Sequence, residues 1–273
     1  MKKKKSAWGS IYLIFVFLLL YFPIFYLIFY AFNKGGTMNT FTGITFAYFR
    51  KLFVDSRLLL IVCKTFLLAF LSALLATLIG TFGAIGIYYI RKQYNKNTLL
   101  NLNNVLLVSP DVIIGASFLI LFTFMGWQLG FISVLFSHIA FSIPIVVLMI
   151  LPKLKEMSAS MLDAAYDLGA NNLQILSKVI LPFLTPGIIA GYFMAFTYSV
   201  DDFAVTFFVT GNGFTTLAVE IYSRARRGVS LEINALSAIV FLFSLLLVIG
   251  YYFINTDKEK DKRRRKTFME IAK

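Results

Sequence analysis

The stretch MLDAAYDLGANNLQILSKVILP, residues 161–182, is a moderately polar island between two strongly apolar segments, and it is the most informative part of this chain. Residues 161–168 predict two helical turns, in which Ala164 and Ala165 are small enough for another surface to approach closely. Gly169 can adopt the left-handed conformation that ends a helix. The stretch therefore predicts a helix, a tight turn and a second helix.

The second helix is predicted to begin at Asn171 and Asn172, because asparagine suits a helix N-cap. Four apolar residues then share one face of this helix: Leu173, Leu176, Val179 and Ile180. Pro182 is expected to end the helix, since proline has no amide hydrogen to donate. The loop would expose a small apolar surface flanked by Asp163 and Asp167. An ordinary surface loop without a partner is the alternative interpretation.

Composition indicates an all-α integral membrane protein. The chain is 59% hydrophobic with a mean hydropathy of +0.80, whereas soluble domains hold about 45–50% apolar residues. The apolar runs are long enough to cross a hydrocarbon layer of about 30 Å. Six spans are predicted, at residues 11–32, 63–90, 105–124, 131–151, 183–209 and 235–254. They form one transmembrane domain, residues 11–254, that includes the loop 152–182, between a basic N-terminus, residues 1–10, and a basic tail, residues 255–273.

The distribution of basic residues predicts the orientation. Eighteen of the 26 lysines and arginines lie on the side that holds both termini and the loop 152–182, and eight lie on the other side. The positive-inside rule therefore predicts that both termini and the loop lie on the cytoplasmic side of a bacterial plasma membrane. The net charge of +13 is concentrated beside the spans, as in anchors that contact anionic lipid, and does not indicate nucleic-acid binding.

Metal-centred and nucleotide-dependent chemistry have no candidate residues here. The chain has one cysteine, Cys63, and one histidine, His138. His138 lies in an apolar run and is interpreted as a packed polar residue rather than as a metal ligand. Gly80-x-x-Gly83-x-x-Gly86 lies inside a span, so it is interpreted as a helix-packing stripe and not as a phosphate-binding loop. No catalytic residue and no cofactor are predicted on this chain.

Asp201 and Asp202 are the candidate residues of a substrate pathway. An ionised carboxylate inside a membrane costs about 3 kcal/mol on insertion scales, so such residues usually face water or a cation. Tyr198 is expected on the same side of the helix, and Tyr192 lies further in. A carboxylate beside an aromatic ring is a suitable lining for an organic ammonium ion.

The same pair has a structural interpretation, in which the acids cap a helix or tether the bundle. Neighbouring residues project about 100° apart on a helix. At most one of Asp201 and Asp202 is therefore expected to face the pathway, and the other to bond a neighbouring helix. Asp111, which follows Pro110, is interpreted as the cap of a helix that restarts after the proline.

The loop also resembles the cytoplasmic coupling loop of ABC-importer permeases, whose signature reads Glu-Ala-Ala, three residues, Gly, nine residues and Ile-x-Leu-Pro. The matching residues are Asp163, Ala164, Ala165, Gly169, Val179, Leu181 and Pro182. Asp163 stands for Glu and Val179 for Ile, and both changes preserve charge or shape. The resemblance implies a six-helix permease bundle whose coupling helix contacts a separate ATPase, and ATP and magnesium would belong to that partner.

A second resemblance concerns the substrate. The stretch TYSVDDFAVTFFVTG, residues 197–211, and the segments that follow it are similar to the C-type permease of spermidine/putrescine importers. The similarity extends over most of residues 67–250 and includes SPDVIIGASFL, residues 109–119. It implies a second homologous permease, a dimer of ABC ATPases and an extracytoplasmic polyamine-binding protein as partners, besides membrane lipid.

Two other classes of function fit the sequence less well. A self-sufficient secondary transporter or channel for organic cations would leave the loop 152–182 without a purpose, and no inverted repeat is visible. A membrane enzyme would need clustered histidine, cysteine or acidic residues near one interface, which the sequence does not offer. The favoured interpretation is a transport subunit without catalysis of its own.

Overall fold

The computed structural model describes residues 7–226, 231–242 and 245–246, and all regular elements within these ranges are helices. One isolated β-bridge joins Asn33 and Ile44. The helices are α1 (Ala7–Ala31), α2 (Ala47–Val54), α3 (Ser56–Tyr89), α4 (Gln93–Val108), α5 (Asp111–Phe124), α6 (Phe131–Glu156), α7 (Ala159–Asp167), α8 (Asn172–Ile175), α9 (Leu181–Asp201), α10 (Ala204–Val209), α11 (Leu217–Arg226) and α12 (Leu231–Leu242). A π-helical turn, Leu176–Ile180, joins α8 to α9.

The all-α membrane class is confirmed. Within the described ranges, four helices are long and apolar enough to cross a bilayer: Ile11–Ala31, α3, α6 and the continuous helix Asn172–Asp201. The bent pair α4 and α5 makes a fifth span if the two are counted together. The predicted span 235–254 coincides with α12 over its first part. Its remainder lies largely outside the described residues, as do residues 1–6 and the tail 255–273.

Two predicted spans are broken. The break in the span 105–124 agrees with the predicted restart of the helix after Pro110, whereas the predicted continuity of the span 183–209 is wrong. α4 and α5 meet at an angle of 104° at Ser109 and Pro110. Ser109 has a ψ of 137°, because the proline ring disfavours the helical conformation of the residue before it. The second break follows α9, where Asp202 is extended with a ψ of 120°.

The described residues of the ranges 1–56 and 223–273 form one compact unit. After α1, the fully buried Asn33 organises the loop by donating its side-chain amide to the carbonyl oxygens of Thr37 and Thr40, each at 2.7 Å. Further along the chain, Lys51 of α2 forms an ion pair of 3.2 Å with Glu232 of α12. In α2 itself Leu52 is buried, whereas Phe53 is exposed.

Residues 57–222 form the second compact unit, in which α6 and α9 make the most extensive helix pair. Small residues allow this close packing. A Cβ atom added at Gly191 of α9 would lie 3.3 Å from Val146 Cγ1, and one added at Gly80 of α3 would lie 2.7 Å from the same side chain. The packing role predicted for Gly80 is confirmed. Gly83 and Gly86 face open space, so the stripe does not extend to them.

Candidate functional site

The turn after α7 has the geometry that the sequence predicted. Gly169 has a φ of +77°, a conformation that side chains with a Cβ atom rarely adopt. The Gly169 amide donates to the Tyr166 carbonyl at 2.8 Å, and the Ala170 amide donates to the Ala165 carbonyl at 3.0 Å. These two bonds form a Schellman motif, which satisfies carbonyl groups that the helix end would otherwise leave free.

The predicted cap of the next helix is confirmed as well. The Asn171 side-chain oxygen accepts from the Gln174 amide at 2.9 Å, and the Gln174 side-chain oxygen accepts from the Asn171 amide at 2.9 Å. This reciprocal pair is a capping box. The direction of α8 is therefore fixed by bonds within the loop itself.

Pro182 does not end this helix, so that prediction is wrong. The helix runs from Asn172 to Asp201, and Pro182 is the second residue of α9. In the preceding π-turn the Leu181 amide bonds to the Leu176 carbonyl, five residues back. Pro182 lacks an amide hydrogen at the position where the hydrogen bonds change from five residues back to four residues back. The proline therefore disrupts the hydrogen bonding of the helix only slightly.

The π-turn also changes which residues face the core. Ile175 and Ile180, five residues apart, are buried. Leu176 and Val179 pack against the same core as predicted, but Leu173 is 73% exposed and points away from it. A regular α-helical period predicts Leu173 on the buried face, because it does not include the extra residue of a π-turn.

We call the exposed side of α7, the turn and α8 the loop surface. It consists of Asp163, Ala164, Tyr166, Leu168 and Leu173, all exposed. Leu168 is 88% exposed, and beside it a groove of about 470 Å³ is lined by residues of α3, α7 and α8 that include Asp163 and Tyr166. The other residues of the signature are arranged differently, since Ala165, Val179 and Leu181 are half-buried and Pro182 is exposed. An apolar, acidic and solvent-facing surface of this kind can be covered by another protein.

A second group of residues lies inside the bundle, and we call it the polar cluster: Ser72, His138, Ser199, Asp202 and Thr206. His138 of α6 is fully buried. Its Nδ1 lies 2.6 Å from Ser199 Oγ of α9, and its Nε2 lies 2.9 Å from Thr206 Oγ1 of α10. Ser199 Oγ lies 3.0 Å from Ser72 Oγ of α3. The cluster therefore connects four helices through side-chain hydrogen bonds.

Asp202 belongs to this cluster and caps α10. Its Oδ1 accepts from the Val205 amide at 3.2 Å, and its Oδ2 accepts from the amide and the hydroxyl of Thr206 at 2.8 and 2.7 Å. The same Oδ2 lies 3.4 Å from His138 Nε2. Asp202 is thus a buried capping and tethering acid, which is the structural interpretation of the pair. The interpretation of His138 as a packed polar residue also agrees with this geometry.

Asp201 has the opposite environment. Its side chain is exposed, and within the described part of the chain it forms no hydrogen bond or ion pair. Tyr198, one turn earlier, is also exposed, and its hydroxyl donates to Asp111 Oδ1 at 2.8 Å. We call the six exposed residues of α9 from Ala190 onward the exposed stripe, namely Ala190, Phe193, Met194, Thr197, Tyr198 and Asp201.

Two other predicted residues are placed differently from expectation. Asp111 does not cap α5 with its side chain, because the Pro110 carbonyl accepts from the amides of Ile113 and Ile114 and the Asp111 carboxylate accepts from Tyr198. Tyr192 is half-buried, and its ring packs edge-on against Phe70 of α3 at 6.4 Å. Tyr192 is therefore a packing residue and does not join the exposed stripe.

Sequence reasoning missed the polar cluster and the bond between Asp111 and Tyr198. One signal for the cluster was present, since Ser199, Asp202 and Thr206 follow at i, i+3 and i+7 and so lie on one side of a helix. Their partner His138 is 61 residues from Ser199 along the chain, a distance over which spacing gives no information. Among the described residues, no group of three or more histidine, cysteine, aspartate or glutamate side chains could hold a metal ion.

The sequence matches the family described as binding-protein-dependent transport system inner membrane component over residues 76–257. This chain belongs to that family. It is 40% identical over 245 residues to the spermidine/putrescine transport system permease protein PotC of Escherichia coli (strain K12), covering 90% of this chain and 92% of that protein. It is 31% identical over 268 residues to the putrescine transport system permease protein PotI of the same strain, covering 95% of each.

Solved structures share the fold of the permease. A chain of the bacterial alginate ABC transporter, crystallised in complex with an alginate-pentasaccharide-bound periplasmic protein, superposes with a TM-score of 0.69 at 15% identity, covering 89% of this chain and 91% of that one. At this identity the likeness concerns the fold alone. The permease is therefore a multi-pass inner-membrane transport component with the fold of an ABC-importer permease.

Proposed function

We propose that the permease forms half of the pathway through which an ABC importer carries spermidine, putrescine or both, together with a second homologous permease. The proposal is supported by the identity to PotC over nine-tenths of the chain. The observation that carries it in the structure is the exposed carboxylate of Asp201, which has no bonding partner among the described residues and lies one turn from Tyr198 on α9.

The environment of Asp201 fits a polycation. A carboxylate that faced hydrocarbon at mid-depth would cost about 3 kcal/mol, and Asp201 has no partner within the described chain that would offset this cost. A water-filled pathway that a polyamine enters removes the conflict, because the ammonium groups lose part of their hydration there and a fixed carboxylate replaces it. The Tyr198 ring beside it offers a face to the same cation.

The different surroundings of Asp201 and Asp202 support the assignment of this role to only one of the two acids. Asp202 is bonded to His138 and Thr206 in the interior, so its carboxylate already has hydrogen-bonding partners within the protein. Asp111 adds a second carboxylate to the exposed side through its bond to Tyr198. We assign the pathway to Asp201, Tyr198 and Asp111, and we assign Asp202 to the support of α10.

The loop surface is proposed to dock on a separate cytoplasmic ATPase, which binds ATP and magnesium. The support is physical: Leu168 and Leu173 are exposed large apolar residues beside Asp163, and the caps at Gly169 and Asn171 hold them in a fixed arrangement. An extracytoplasmic polyamine-binding protein is proposed to deliver the substrate on the opposite side.

This arrangement requires both termini in the cytoplasm, as the basic residues predict. The test is the labelling of a Lys273→Cys variant that also carries Cys63→Ser, with an impermeant thiol reagent. We expect no labelling in intact cells and full labelling after the membrane is opened. Labelling from outside would place the loop surface on the wrong side for an ATPase.

The function is tested with proteoliposomes that hold the full assembly, with labelled spermidine and putrescine outside. We expect uptake that needs both ATP and the binding protein. Uptake by the permeases without the ATPase would instead indicate a self-sufficient cation transporter. Absence of uptake for both polyamines, in an assembly that hydrolyses ATP in response to another substrate, would contradict the polyamine assignment.

A further inference from the structure

The polar cluster crosses the break between α9 and α10, and one side chain holds both ends of that break. His138 contacts Ser199, near the end of α9, through Nδ1 and Thr206 of α10 through Nε2. We propose that His138 is a positioning residue for the polyamine pathway, which fixes the break at Asp202 and thereby keeps Asp201 on the exposed stripe. This inference rests on the proposed function where it is tested by polyamine uptake, but not where it is tested by the position of the proton on His138.

The hydrogen bonds define which nitrogen of His138 carries a proton. The Thr206 hydroxyl donates to Asp202 Oδ2 at 2.7 Å, so its single proton is already used. At the 2.9 Å contact with His138 Nε2, Thr206 Oγ1 can only accept. Nε2 must therefore carry a hydrogen, and it points at the oxygen atoms of Thr206 and Asp202.

The other ring nitrogen, Nδ1, contacts a chain of two hydroxyl groups, Ser199 and Ser72, whose hydrogen bonds can be donated in either direction. If Ser72 donates to the Ala69 carbonyl at 3.2 Å, Ser199 donates to Ser72 and accepts from a protonated Nδ1. If Ser72 donates to Ser199 instead, Ser199 donates to an unprotonated Nδ1. Both arrangements satisfy the buried groups and both leave the hydrogen on Nε2, so the contact across the break is kept in either charge state.

Locally, the cap that Asp202 forms on the amides of Val205 and Thr206 favours a break here, but the sequence contains no helix breaker that would impose one. Residues 197–209 contain neither proline nor glycine, and their pattern predicts one continuous helix. The anchored Asp202 is extended instead, with a ψ of 120°. Because adjacent side chains project in different directions, holding Asp202 inside directs Asp201 outward. Loss of the anchor would let the helix continue and turn Asp201 away from Tyr198 and Asp111.

The proton position is tested by ¹⁵N NMR of histidine-labelled assembly, without a histidine tag. His138 is the single histidine of this chain, so the difference spectrum between the wild-type assembly and one that carries His138→Gln isolates its signals. We expect a protonated Nε2. An unprotonated Nε2 would overturn the proposal, whatever the substrate of the importer is.

The positioning role is tested by uptake kinetics per assembled complex. His138→Leu removes both contacts, whereas the amide of His138→Gln can still donate toward Thr206. We expect His138→Leu to raise KM for the polyamine about tenfold with a smaller change in kcat, and His138→Gln to stay within about threefold of wild type. Ser142→Ala is the matched control, because Ser142 is equally buried one turn along α6 and its hydroxyl has no partner.

The outcomes separate the possible failures. A wild-type KM in His138→Leu, or equal loss in His138→Gln and His138→Leu, would overturn the positioning role. If His138→Leu does not assemble, His138→Gln is compared with Ser142→Ala instead. A fall in kcat/KM of more than about tenfold in His138→Gln would contradict the proposed role of the contact between Nε2 and Thr206. If the wild-type assembly carries no polyamine, the proposed function fails while the NMR result still judges the geometry.

Discussion

The buried and exposed sides of α9 differ in where their polar side chains find partners. The buried side combines glycine and alanine, which let α6 approach, with Ser199, whose hydroxyl is bonded within the polar cluster. The exposed side carries Tyr198 and the unbonded Asp201. The buried side thus satisfies its polar groups within the chain, whereas the exposed side presents polar groups for something outside it.

The loop surface follows the principle of the exposed side. Its backbone is fixed by the Schellman motif and the capping box, yet Leu168 and Leu173 face solvent. Rigid backbone with exposed apolar side chains is typical of a surface that a partner covers. Substitutions on the buried side of α9 should therefore change stability, and substitutions on the exposed side or the loop surface should change transport.

The largest expected effect on stability is that of Asp202→Ala. The change leaves buried donors on Val205, Thr206 and His138 without their acceptor, which should cost about 3–5 kcal/mol of unfolding free energy. The measurement is the yield and thermal inactivation of the purified assembly. Asp201→Ala is the matched control and should shift stability by less than about 1 kcal/mol. Equal losses in the two variants would remove the distinction between the two sides.

A smaller stability effect is expected from Gly191→Leu on the buried side of α9. A Cβ atom there already lies 3.3 Å from Val146 Cγ1, so a leucine must displace α6 at a cost of about 1–3 kcal/mol. Its neighbour Ala190 is exposed, and Ala190→Leu should stay within about 0.5 kcal/mol. The measurement is thermal unfolding of both variants in detergent. A larger loss of stability in Ala190→Leu than in Gly191→Leu would contradict the expected difference between the two sides of α9.

The smallest stability effect is expected from Gly169→Val, although its effect on transport should be large. Valine at a φ of +77° costs about 1–2 kcal/mol locally and should turn the loop surface away from its partner. We expect normal insertion with loss of uptake and of transport-stimulated ATP hydrolysis. Gly169→Asn is the control, since asparagine tolerates this conformation. Coupled hydrolysis that survives in the valine variant would contradict docking through this surface.

The sequence allowed the locally determined parts of the fold to be predicted. The turn at Gly169 and the cap at Asn171 depend on residues within five positions of each other, and both are confirmed. These features need no distant partner, so propensity and spacing are sufficient to find them.

The parts that could not be predicted depend on contacts between distant residues. The helix break at Asp202 is bridged by His138, whose partners Ser199 and Thr206 are 61 and 68 residues away. The π-turn before Pro182 adds a residue that no α-helical period contains, which is why Leu173 was placed on the wrong face. For the acidic pair, the helical angle predicted two different environments, but only the packing of α6 shows which acid is buried.

The most direct test of the proposed pathway is polyamine uptake per assembled complex for Asp201→Asn, with Asp201→Glu as the matched variant that keeps the charge. The amount of assembled complex should equal that of wild type for both, because Asp201 has no bond within the described chain. We predict that Asp201→Asn lowers kcat/KM about tenfold or more and that Asp201→Glu retains most of it. Near-normal uptake per complex in Asp201→Asn would contradict the assignment of this carboxylate to the pathway.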